Sequence, residues 1–236
     1  RQTLLCHAGL PLQRDITPVV LPRFQVTCSA VPVSKTPDLQ TEAKEQFKTP
    51  RGQLIQSGHP LTKAAFLIMA ELFPLSLPFE RLRALAWARL NPSTQFVEAQ
   101  KLTNANNLLA AELLQCYALG VLELRQQSPR CVSAPTERPK TTELARHQAM
   151  RGVKFVNQRH ETLVMDEFSR HILRFLDGTN DSAAVIRKLM GECESGVLIA
   201  QKDGVRITER EQLKAAIQQV VVQAIPNLAR QGMLIE

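Results

Sequence analysis

The sequence predicts a mainly helical α+β protein of two tandem modules, each a helical bundle edged by a small sheet and winged-helix-like. Three observations carry this. Blocks of helical hydrophobic periodicity lie on both sides of a proline-rich, basic segment at 126–141. A closing pattern occurs twice, as Leu119-Gly120-Val121-Leu122-Glu123 and as Gln231-Gly232-Met233-Leu234-Ile235-Glu236, and reads both times as a helix end followed by a strand. A chain of 236 residues is long enough for two small cores. The expected organisation is a first module over 1–125, an exposed linker over 126–141 and a second module over 142–236.

In the first module, Arg1 to His7 alternates weakly and suits a strand or buried connector. Prolines at 18, 22, 32, 37, 50 and 60 then leave only short extended runs, such as Phe24 to Cys28 and a Phe47 to Gln56 stretch turning at Pro50-Arg51-Gly52. After Pro60, Ala65, Ile68, Met69 and Leu72 share a helix face that Pro74 terminates. Pro78 opens a second helix with Leu82, Leu85 and Ala86 inward, ending near Leu90 before Asn91-Pro92-Ser93. A third helix, from about Leu102 to Leu119, buries Leu109, Leu113 and Cys116. Gly120 ends it, and Val121 to Leu124 forms a strand.

The second module begins with a helix over Thr142 to Met150 and two extended pieces, Val153 to Asn157 and Thr162 to Met165. Asp166 caps a helix with Phe168, Ile172 and Leu176 on one face, stopped by Asp177-Gly178. Val185, Ile186, Leu189 and Met190 define the next helix. Strands Val197 to Ala200 and Val205 to Ile207 flank an Asp203-Gly204 hairpin turn. A capping box from Thr208 to Glu211 starts a long helix carrying Leu213, Ile217, Val220, Val221 and Ala224 inward, until Pro226 kinks or shortens it.

The apolar fraction of 44% and charged fraction of 22% are those of a soluble globular protein, and no apolar run reaches the roughly 18 residues of a membrane span. Arg1 in place of Met, with no signal pattern, reads as a cut from a longer chain. Five scattered cysteines without a Cys-x-x-Cys pair fit neither a disulfide framework nor a zinc site, and point to the reducing cytoplasm. Of the net charge of +7, five charges fall within 126–160, where seven Lys or Arg face two Glu. Such a run is a solvated tether or a surface for nucleic acid or an acidic partner.

Catalytic motifs are missing. Gly191 to Gly196 lacks the lysine of a phosphate loop, and no glycine-rich dinucleotide or S-adenosylmethionine loop occurs. His160-Glu161-Thr162-Leu163-Val164 has no second histidine for zinc, and no nucleophile elbow is present. The one local oddity is Asn157-Gln158-Arg159-His160-Glu161, five polar residues between apolar extended stretches. Asn157, Arg159, His160 and Glu161 are candidates for partner or substrate contact. The alternative is a turn in which Asn157 bonds nearby backbone and Arg159 pairs with Glu161 in solvent.

Five segments resemble the regulatory region that follows the catalytic domain in bacterial S-adenosylmethionine-dependent methyltransferases, including the rickettsial-type protein-lysine methyltransferases. They are Arg1 to His7, Phe47 to Gly52 leading to His59-Pro60-Leu61, Leu144 to Ala149, Val156 to Glu161 and Leu173 to Thr179. The resemblance implies a parent enzyme whose upstream domain holds S-adenosylmethionine, while this region contacts that domain and a protein substrate. It implies no cofactor and no catalytic or metal residue in this chain. A homodimer is a further expectation, and a tandem winged-helix-like nucleic-acid-binding module is the rival reading. Against the rival, only Arg210, Lys214 and Arg230 are positive around the long helix.

Overall fold

The computed structural model describes residues 6–11, 15–91, 99–202 and 204–235. The chain divides into two compact units. The first comprises Arg1–Val26, Ala30–Ile68 and Pro78–Gln126, and the second Thr27–Ser29, Met69–Leu77 and Gln127–Glu236. Of the strand or buried connector expected at Arg1 to His7, residues 1–5 lie outside the described residues, while Cys6 and His7 are exposed and in no strand.

In chain order the first elements are a 3-10 turn at Pro18–Arg23, β1 (Gln25–Thr27), β2 (Val31–Pro32), β3 (Glu45–Lys48), β4 (Leu54–Ser57) and α1 (Pro60–Leu72). They are followed by β5 (Leu77–Pro78), α2 (Phe79–Leu90), α3 (Ala99–Ala118) and β6 (Glu123–Arg125). β1 sits between β5 and β6, and a separate antiparallel sheet takes the order β2-β3-β4. Phe47 on β3 faces Ile55 on β4 and packs its ring 5.1 Å from that of Phe66. Leu21, Leu82, Leu109 and Leu113 are fully buried.

The helix after Pro60 departs from the single-stripe expectation. Leu61, Ala64, Ala65, Phe66, Ile68 and Met69 are all buried, and so is Lys63. The Lys63 ammonium reaches two backbone carbonyls, Thr41 O at 2.8 Å and Ala43 O at 3.0 Å, which lets a charged side chain occupy a helix buried on nearly all sides. On α2, Phe79 rather than Leu85 joins Leu82 and Ala86 in the core, since Leu85 is 38% exposed.

The second unit holds α4 (Glu143–Arg151), β7 (Lys154–Val156), β8 (Thr162–Val164), α5 (Glu167–Phe175) and α6 (Ser182–Glu194). It continues with β9 (Gln201–Lys202), β10 (Val205–Arg206) and α7 (Arg210–Arg230). Thr142, Asp166 and Asp181 cap α4, α5 and α6, each accepting from a backbone N–H three residues on. One core gathers Phe155, Ile172, Leu173, Val185, Leu189, Ile217, Val221 and Leu228 from the hairpin and the helices.

The repeated closing pattern is a helix terminator before it is a strand. Gly120 and Gly232 both have positive φ. Val121 and Met233 donate back to Cys116 O and Leu228 O, while the glycine amides donate to Tyr117 O and Ala229 O. This is the Schellman arrangement, in which a left-handed residue turns the chain and the next hydrophobic residue folds under the last turn. Val121 and Met233 are buried accordingly. Gly196 ends α6 the same way. The strand that follows is β6 in the first case and only a bridge between Leu234 and Thr141 in the second.

Three further expectations are corrected. The capping box is not formed: α7 starts at Arg210 with Glu209 at its N-cap, so Glu211 stands one residue too early to reach back. Of the two effects expected of Pro226, a kink or a shortening, the shortening does not occur, since α7 runs on to Arg230. The carbonyl that the proline's missing N–H would have bonded belongs to Val222, on the exposed side of the helix. The hairpin pairs only at Gln201–Lys202 and Val205–Arg206, because Leu198 and Ala200 turn into the core.

Residues 126–141 are not a solvated tether throughout. Cys131 and Thr141 are buried, Val132 N donates to Leu234 O, and Ile235 N donates to Lys140 O. Thr141 Oγ donates to Met233 O at 2.6 Å. Proline keeps such a stretch extended, and an extended backbone can lace onto a neighbour as readily as it can hang in water.

Candidate functional site

The loop joining β7 and β8 closes by Asn157 N–H to Glu161 O, at 3.1 Å, and by His160 N–H to Asn157 O, at 3.1 Å. His160 has φ 62°, so the loop is a turn completed by a left-handed residue, the three-residue hairpin pattern in which glycine or asparagine is usual. The Asn157 side chain organises it. Its Oδ1 accepts from the Arg159 and Glu161 amides, both at 2.9 Å, and its Nδ2 donates to Glu161 Oε2 at 2.7 Å and to Gln231 O at 2.8 Å.

Arg159 is the deeper half of the cluster, with its side chain 2% exposed. Nε donates to Glu161 Oε2 at 3.2 Å, Nη1 donates to Pro74 O at 3.2 Å, and the guanidinium lies 4.7 Å from the centre of the Phe73 ring. Phe73 and Pro74 belong to the second unit's own segment Met69–Leu77. Gly232 runs alongside: a Cβ there would meet Arg159 Cδ at 3.3 Å. The pairing of Arg159 with Glu161 is therefore the one expected of a turn, but it joins a buried arginine to a glutamate whose side chain remains 43% exposed. Asn157 and Arg159 have their polar atoms committed within the chain, while His160 is exposed and Glu161 is partly so.

The five histidines, at 7, 59, 147, 160 and 171, are scattered along the sequence and carry no clustering signal, yet His171 belongs to a second polar cluster. On α5 it is 2% exposed, and its Nδ1 lies 2.6 Å from Glu192 Oε2 on α6. Arg170 Nη2 lies 3.2 Å from Nε2, and Arg174 Nη1 is 3.3 Å from Glu192 Oε1. A carboxylate accepts, so at 2.6 Å Nδ1 donates to Glu192 and Nε2 accepts from Arg170, while Arg174 Nη1, which also lies 3.3 Å from Nδ1, donates to Glu192 and not to the ring. The i and i+21 separation of this pair carries no periodic signal. Nearby, burial first and the Glu192 charge second push the Cys193 thiol above its ordinary pKa, which disfavours a thiolate nucleophile. No disulfide joins any of the five cysteines, all of which are among the described residues.

The first unit has a polar centre of its own. Ser57 Oγ donates to Glu112 Oε2 at 2.9 Å, and His59 Nδ1 lies 3.0 Å from Thr62 Oγ1. Burial holds the His59 imidazole below its usual pKa, assisted by Lys63 and opposed by Glu112 and Glu42. Among the described residues no group of three or more His, Cys, Asp or Glu is placed to hold a metal, and no helix is long and apolar enough to cross a membrane.

Comparison with known proteins bears on both units. Residues 137–233 match the family model of the PKMT C-terminal winged helix domain. PKMT2 from Rickettsia typhi, solved in complex with AdoHcy, superposes with a TM-score of 0.83 at 22% identity, covering 98% of this chain and 46% of its own. A second structure of that protein gives 0.81 at 21% identity. An uncharacterized protein of Rickettsia prowazekii (strain Madrid E) is 26% identical over the whole of this chain and 42% of its own length. Another from that organism is 22% identical over 94% of this chain and 90% of its own length. The chain thus spans less than half of the first of these relatives and of the matched structures. Residues 137–233, within the second unit, match a winged helix domain of the PKMT C-terminal type, and the chain as a whole shares its fold with the corresponding part of PKMT2 from Rickettsia typhi.

Proposed function

We propose that this chain is a non-catalytic regulatory and substrate-recognition region of an S-adenosylmethionine-dependent methyltransferase acting on protein, with the donor-binding domain outside these residues. One observation carries the reading. PKMT2, a protein solved with AdoHcy, contains a fold that matches nearly all of this chain and yet extends to about twice its length. The polar clusters agree with it: Asn157 and Arg159, and His171 with Glu192, are held by contacts within the second unit, which suits a rigid recognition scaffold.

Within that role the Asn157–Glu161 loop is the partner contact, with His160 as its exposed tip, Glu161 beside it, and Asn157 and Arg159 holding the tip in place. The partners are the enzyme's own catalytic domain and a protein substrate. The cytoplasm is the compartment, in keeping with five cysteines that form no disulfide.

The test is calorimetry with S-adenosylmethionine and S-adenosylhomocysteine. This chain alone is expected to give no binding heat, whereas a protein extended upstream of Arg1 binds both. Donor binding by the 236 residues would overturn the reading. The winged helix match also motivates a control with duplex DNA, where tight binding that weakens steeply with salt would favour the nucleic-acid reading instead.

A further inference from the structure

We infer that the outer edge of β4, in the first unit, takes an extended polypeptide segment as an added strand and seats one of its lysine or arginine side chains against Glu112. This goes beyond the function proposed above and does not rest on it.

β4 ends the sheet order β2-β3-β4, and among the described residues it pairs only with β3. Its sequence, Leu-Ile-Gln-Ser, has neither the lysine nor the proline with which exposed edges are usually guarded. All four of its residues line one cavity of about 210 Å³, together with Phe66 of α1 and Glu112, Cys116 and Leu119 toward the C-terminal end of α3. Successive residues of a strand point to opposite faces, so a cavity touched by all four opens on the strand's edge rather than on either face.

The walls of that cavity combine Leu54, Ile55, Phe66 and Leu119 with the uncharged polar residues Gln56, Ser57, Thr62 and Gln115, and Leu54 and Leu119 are each 61% exposed. Its one charged group is the Glu112 carboxylate. Glu112 Oε2 accepts from the buried Ser57 hydroxyl, which orients the group, and no other hydrogen bond to Glu112 occurs among the described residues. An aliphatic stem along such walls with a cation at the carboxylate is complementary in shape and sign, and strand addition supplies the main-chain bonds. The volume is below that of small-molecule sites, about 300 Å³ and more, and suits one long side chain.

The test uses the whole ¹⁵N-labelled chain and three synthetic peptides, acetyl-Thr-Val-Xaa-Val-Thr-amide with lysine, norleucine or glutamate at Xaa. The lysine peptide is expected to shift the amides of 54–57 and 112–119, and the norleucine peptide to bind about tenfold more weakly. Glu112→Gln should abolish that difference. Leu54→Lys, at an exposed position, should weaken the lysine peptide while leaving amides elsewhere unmoved, and it serves if Glu112→Gln misfolds. Equal binding of the lysine and norleucine peptides would overturn the inference, as would shifts confined to other surfaces or no shift at millimolar peptide. Dilution-dependent shifts of 54–57 without peptide would also overturn it, by making a second copy of the chain the occupant.

Discussion

Replacing Arg159 with alanine removes a guanidinium that is almost wholly interior, and its three contacts set the expected loss. The donor to Pro74 O leaves a carbonyl unpaired in a buried residue, a loss of about 1–3 kcal/mol. The cation above the Phe73 ring contributes about 1 kcal/mol. The bond to Glu161, whose side chain is 43% exposed, adds less than about 1 kcal/mol. The sum is about 3 kcal/mol. At a slope near 2 kcal/mol per molar urea, the unfolding midpoint should fall by about 1.5 M. Circular dichroism gives the midpoint, and hydrogen exchange at 154–164 assigns the loss to the second unit. Arg159→Lys keeps the charge but not the planar fork and should lose about half as much. A midpoint for Arg159→Ala within about 0.3 M of the parent would refute this account, and so would an equal loss in Glu161→Gln.

Three further outcomes follow from named positions. Gly232→Ala should destabilise by about 1–2 kcal/mol in the same urea assay, because φ is 70° and the added methyl presses on Arg159. His160→Gly should stabilise by about 0.5–1 kcal/mol, since it relieves a left-handed backbone at an exposed residue, and an unchanged midpoint would contradict that strain. The depressed pKa of His59 gives stability that is complete above its unfolded value of 6.5 and is lost as pH falls from there toward the lower folded value. Between about pH 7.5 and about pH 5.5 the parent should therefore lose more stability than His59→Gln, measured as paired urea midpoints. Equal losses would exclude His59 as the titrating group.

Helices were the legible part of the fold, because each is a local event with local signals. Thr142, Asp166 and Asp181 sit where a side-chain oxygen can meet an amide three residues on, and Leu109, Leu113 and Cys116 recur at the helical period. Strands were placed within a few residues where a turn residue marked them, as at Gly52 between β3 and β4. The Asn157–Glu161 loop stood out because five polar residues interrupt two apolar runs. That its arginine would be interior was not readable there, since Phe73 and Pro74 lie more than eighty residues away.

By itself the sequence determined most of the helix blocks and their stops, which depend on neighbours within a few positions. Only the tertiary structure decided that Lys63 is buried, that residues 131–141 are laced to the last strand bridge, and that His171 meets Glu192. The physical reason is common to all three. Desolvating a polar or charged group is favourable only when a specific partner compensates it, and that partner comes from a distant part of the chain that local spacing does not encode.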